Sequence, residues 1–280
     1  MTISTMQLGV CAVYACVLWA VRLNPIRILG LQQPATQELP KVTLGDLVRT
    51  VPVGACSAAA HASSVFALGG DPVFGQIVKA GEPVLAAAVG CACYGQRISK
   101  PKAALLLIIV GGVAFASLKK GVGAERYELR FDRAALAFGM LANAFAAVKG
   151  AENKRLLELP GVAARFGGVG NQFAATEVIA FAASVPVMMA TEGAQWGRFV
   201  ELVKASRDLR FNLIASGLAF YLYNEVKHRC ALPGATSAAD LYVTFLQASD
   251  PAVKIVFLFL YCVCVVCHAC AVSARVSWQQ

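Results

Sequence analysis

The chain has 280 residues, 58% hydrophobic and only 15% charged, with a formal net charge of +9. A soluble domain carries about a quarter charged residues, so an ordinary soluble fold is excluded. The basic residues fall in small clusters between long apolar blocks, which excludes the continuous basic surface of a nucleic-acid binder.

In chain order, nearly uncharged runs occupy 3–21, 50–70, 72–96, 103–118, 134–148, 168–191, 211–226, 233–249 and 252–274. A helix needs about 20 residues to cross a hydrocarbon core of roughly 30 Å. The pattern predicts an all-α polytopic membrane protein with eight or nine transmembrane helices. The run 233–249 is the weakest span, being short and holding Asp240. The opening "MTISTMQLGVCAVYACVLWAVRL" lacks a basic n-region and a small-residue cleavage site, so it reads as a span and not a signal peptide. A chain starting at a span is expected to have an upstream portion, including any organelle-targeting peptide.

Polar interruptions at 22–49, 119–133, 149–167 and 193–210 are expected as extramembrane loops or short interfacial helices. Their Lys and Arg residues anchor loops against anionic lipid and favour the cytoplasmic or stromal side. The segment "KGAENKRLLELPGVAARFGG" (149–168) lies near the middle, where two bundles of similar size would be joined. Transporters often consist of two such repeats with the substrate between them.

Charge inside the apolar blocks needs a reason. In "GDPVFGQIVKAGEPVLAAAVG" (70–90), Lys79 stands near the middle of a block. A lysine at such depth costs about 2.5–3.5 kcal/mol on insertion scales, so it is expected to face protein or a water-filled cavity. An internal ion pair with Glu82 is the blander explanation. "HASS" places His61 and Ser64 on one helical face, and "FYLYNEV" (220–226) brings two tyrosines, Asn224 and Glu225 to the end of a run. A cation, an imidazole and hydroxyls from separate spans make a candidate pocket for a phosphate or carboxylate.

The cluster "YCVCVVCHAC" (Cys262, Cys264, Cys267, His268, Cys270) resembles a metal site in spacing only. On a helix these side chains point around much of the circumference, so they read as packing residues and no metal is expected. His268 is a candidate chlorophyll ligand, set against the blander reading of a histidine bonded within the bundle. No Walker-type glycine loop, paired carboxylate motif or metal-spaced His/Glu set is present, and no enzyme is expected.

Taken together, "STMQLGVCAVYACVLWA", "HASSVFALGGDPVFGQIVKAGEPVLAAAVG", "LANAFAAVKGAENKRLL", "ATEGAQW" and "LIASGLAFYLYNEV" resemble the plastidic phosphate translocators over about residues 3–226. These are triose-phosphate and sugar-phosphate:phosphate antiporters with the drug/metabolite transporter fold. The resemblance implies that His61, Ser64, Lys79 and Tyr223 match the family's substrate pocket, with Lys79 on phosphate. It also implies repeat halves at 1–132, lacking its first helix, and 133–280, with a shortened ninth helix.

The chain departs from the family's pattern in two places that bear on the pocket. The family's "FTH" before the lysine is "FGQ" here (Phe74, Gly75, Gln76), and a gap-free count puts Leu246 and Gln247 where the family has a Lys–Arg phosphate clamp. A phosphate dianion entering a partly dehydrated cavity needs several charge-assisted hydrogen bonds. The preferred expectation is therefore a transporter-like structural subunit of a plastid membrane complex, such as a photosystem–antenna supercomplex. Membrane lipids and other plastid proteins would be its partners, and chlorophyll or lipid its bound groups. The alternative is a working antiporter of phosphate and phosphorylated C3 compounds in the plastid envelope, with Lys79 supplemented by Lys149 or Lys254.

Overall fold

A computed structural model describes residues 1–22, 38–69, 71–95, 97–120, 127–129 and 132–230. Ten α-helices are found among them: α1 (Thr2–Val21), α2 (Leu44–Gly69), α3 (Pro72–Lys79), α4 (Glu82–Tyr94), α5 (Lys100–Ala116), α6 (Arg133–Glu158), α7 (Val162–Phe166), α8 (Val169–Glu192), α9 (Trp196–Ala205) and α10 (Arg207–Cys230). Between α5 and α6, strands β1 (Leu118–Lys120) and β2 (Tyr127–Leu129) pair antiparallel, with Lys119 opposite Glu128. A short ribbon thus replaces the loop or helix expected at 119–133.

Four segments among the described residues are long and apolar enough to cross a membrane, or five if α3 and α4 form one broken span. They are α1, α2, α6 and the stretch Val169–Ala205. The expected spans at 233–249 and 252–274 lie outside the described residues, as do His268 and its neighbouring cysteines. On α5, Leu107, Ile108 and Phe115 are exposed, as suits a helix facing lipid, where backbone bonds close internally and side chains need no water.

The run 72–96 is not one helix. It bends by 42° between α3 and α4, and the cause is Pro83. A proline has no N–H to give the carbonyl four residues earlier, here Lys79, and its ring clashes with that carbonyl. The chain therefore turns at Ala80–Gly81, and Lys79 falls at a helix end rather than within a continuous span.

Both ends of this region are pinned. Asp71 caps α3 by accepting from the Val73 and Phe74 amides at 3.0 and 3.2 Å. Asp132 caps α6 through Ala134 and Ala135 at 2.8 and 3.2 Å, while its other oxygen accepts the Asp71 amide at 2.9 Å. The two helix starts are thus held together. Further along, Tyr94 on α4 donates to Glu152 on α6 at 2.7 Å.

Packing centres on α2, which lies against α6 and α8, while α1 packs on α8 and α10. Small residues set these distances, as in membrane helix pairs generally. A Cβ on Gly75 would stand 2.8 Å from the Ala67 carbonyl oxygen, and one on Gly139 would stand 2.7 Å from Val78 Cγ1. So α3 is held close on two sides, by α2 and by α6. Gly75 is the residue that replaces the threonine of "FTH", and this contact leaves no room for a side chain there.

The polar segment at 149–167 is mostly helical. α6 continues through it to Glu158 before the short α7, whose Phe166 and Val162 join Val53, Leu156 and Ala175 in one core cluster.

Candidate functional site

His61 lies on α2, buried, with its Nε2 3.1 Å from Gln7 Oε1 on α1. The Gln7 amide in turn donates to Ser216 Oγ on α10 at 2.7 Å. The His61 ring packs on Phe220, also on α10, with centroids 4.5 Å apart. Three helices therefore meet through one polar chain. Ser64, one turn beyond His61, donates to the Ala60 carbonyl of its own helix at 2.8 Å. Tyr223 is half-buried on α10, one turn beyond Phe220.

Lys79 and Glu82 are half-buried and flank the break. The carbonyl just before Lys79, that of Val78, accepts the Asn143 amide from α6 at 2.9 Å. Of the four expected pocket residues, His61 meets α10 at Phe220 and Tyr223 stands one turn further along that helix, while Lys79 stands at the break between α3 and α4.

A second buried polar cluster stands on α8. Glu177 is 0% exposed, and its Oε1 accepts from Ser57 of α2 at 3.0 Å. Lys149 on α6 donates to the same Ser57 oxygen at 3.4 Å. One turn before Glu177, Phe173 packs on Tyr221 of α10 with centroids 5.1 Å apart, and Tyr14 of α1 meets Tyr221 edge-on at 5.0 Å. Nearby, Gln172 bonds both Asn153 and Thr176.

At one end of the bundle, Arg165 of α7 grips Asp46 of α2 with two hydrogen bonds of 2.7 Å. Thr43 adds its amide and hydroxyl to Asp46 at 3.0 and 2.8 Å. The hydrogen bond to Asp46, reinforced by the carboxylate's charge, raises the Arg165 guanidinium above its ordinary pKa. Trp19 and Asn171 close the same end, the indole donating at 3.0 Å and the Asn171 amide reaching the Glu38 carbonyl at 2.8 Å. Among the described residues, no group of three or more His, Cys, Asp or Glu is placed to hold a metal ion.

This helical arrangement can be set beside known proteins. The Triose-phosphate Transporter family profile matches residues 1–232, from α1 to the end of α10. The chain belongs to the Triose-phosphate Transporter family. No individual curated protein matches it. The triose-phosphate transporters are membrane transporters and not enzymes, so the chain is a transporter-like membrane protein in a lipid environment.

Within that family fold, the residues that the sequence reading passed over are Gln7, Ser57, Ser216 and Glu177. Glu177 carried a usable signal, being the only carboxylate in the run 168–191. The other three carry no charge to single them out within their apolar runs. They become visible only once α1, α2 and α10 are brought together.

Proposed function

We propose that this chain keeps the triose-phosphate transporter scaffold but serves as a structural subunit of a larger plastid membrane assembly, having given up phosphate antiport. The observation that carries the reading is the His61–Gln7–Ser216 chain. A residue matched to the substrate pocket spends its imidazole on a buried cross-link between helices, with Phe220 against its face. The close seat of α3 at Gly75 and Gly139 supports it, because a bundle that must rock about a central site gains nothing from locking there. The sequence adds Leu246 and Gln247 in place of the clamp cations; these lie outside the described residues. A photosystem–antenna supercomplex is a candidate host, with chlorophyll or lipid at its contacts.

One observation favours the alternative antiporter of phosphate and phosphorylated C3 compounds. The α3–α4 break places Lys79 at a helix discontinuity, and transporters build anion sites from such broken helices. Reconstitution into liposomes separates the two readings. A structural subunit shows no phosphate-for-phosphate exchange above empty vesicles, and Lys79→Ala changes its melting temperature alone. Saturable exchange that Lys79→Ala abolishes would establish the antiporter.

A further inference from the structure

We propose that Glu177 is a proton-binding site in the interior of the bundle, loaded and unloaded through Ser57 and Lys149. The inference stands whether or not transport persists.

Its basis is geometric. Glu177 sits in the middle of α8 with no exposed surface, and Oε1 is held by the Ser57 hydroxyl. Oε2 has no hydrogen-bond partner among the described residues, and neither does the Tyr221 hydroxyl, which is also fully buried. An ionised carboxylate in such a place needs a counter-charge or a full set of donors. A carboxylic acid needs one acceptor for its O–H, and the Ser57 oxygen, 3.0 Å from Oε1, can be that acceptor.

The surrounding charge points the same way. Tyr221 lies within electrostatic reach of both Glu177 and Glu225, the latter also 0% exposed on α10. Two ionised carboxylates within one low-dielectric volume repel, and a single proton removes that repulsion. The titratable and charged groups around the site are Cys11 and Tyr14 from α1, Cys56 from α2, Lys149 and Glu152 from α6, and Tyr221 and Glu225 from α10. Lys149 is the cation in this set, and it reaches the carboxylate through Ser57.

Loading moves one proton and no electrons. The Ser57 O–H bond breaks as Glu177 Oε1–H forms, and a Lys149 N–H bond breaks as the Ser57 O–H is restored. Lys149 passes from ammonium to amine and regains its proton from water on its half-buried side. Unloading is the reverse.

Infrared difference spectroscopy of the full chain in lipid, stepped through pH, tests this. The wild type should show a carbonyl stretch from an un-ionised carboxylic acid that titrates, and Glu177→Gln should lose that band. Lys149→Met should keep the band but slow its appearance after a pH jump severalfold. Identical bands in the wild type and Glu177→Gln overturn the proposal. If Glu177→Gln does not fold, Glu177→Asp keeps an acid of different frequency; a shifted titrating band supports the site, and an unshifted one overturns it.

Discussion

Asn143 on α6 donates its side-chain amide to the carbonyl of Val78, 2.9 Å away and one residue before Lys79. That bond fixes the end of α3 where Pro83 has removed the helix's own ladder. Replacing Asn143 with Ala leaves a carbonyl with one donor fewer beside the break. A loss of about 1–2 kcal/mol in stability is expected, with faster amide exchange at Ala80 and Gly81. Unchanged exchange there would show that the break is held by other contacts.

The Gln7–His61 contact joins α1 to α2 at 3.1 Å. Gln7→Ala should cost about 1–3 kcal/mol, because His61 and Ser216 are then left short of a buried partner. Gln7→Glu keeps the shape and the acceptor at His61 but removes the donor to Ser216, so it should lie between. Denaturation midpoints of the three proteins check the order.

Gly139 faces Val78 across the α3–α6 contact. Gly139→Ala puts a methyl within van der Waals overlap of that valine, and an overpacking cost of about 1–3 kcal/mol is expected. Val78→Ala in the same chain should recover part of the loss. The double-mutant cycle measures the recovery, and simple additivity would place the strain elsewhere.

Asp132 gives a dependence on pH. Backbone amide donors, Ala135 first and then Asp71, hold its carboxyl below the ordinary value of 3.8. A group depressed in the folded state contributes stability above its unfolded pKa and loses it as pH falls through the folded value. The starts of α3 and α6 should therefore keep constant amide protection from neutral pH down to about pH 4 and lose it below. In Asp132→Asn this acid-dependent step should vanish, as hydrogen exchange at the Asp71 and Ala135 amides will report.

The long helices were legible because membrane spans are read from composition alone. The runs 3–21 and 134–148 became α1 and the first part of α6. The break after Lys79 was also written in the sequence, since Pro83 cannot donate to the Lys79 carbonyl, but uniform apolarity over 72–96 masked it. Glu177 was equally visible as a single carboxylate in an apolar run. The His61–Gln7–Ser216 chain was not, because it joins residues up to 209 positions apart. Single uncharged polar side chains in long apolar runs do not declare a partner, and only tertiary packing supplies one.

As proposed, this triose-phosphate transporter family member acts as part of an assembly. The direct measurement is density-gradient separation of gently solubilised native membranes, with the polypeptide located by mass spectrometry. Co-migration with a large pigmented complex, surviving repeated gradients, is the predicted result. Migration as a free protein of monomer or dimer size, together with saturable phosphate exchange in liposomes, would contradict it.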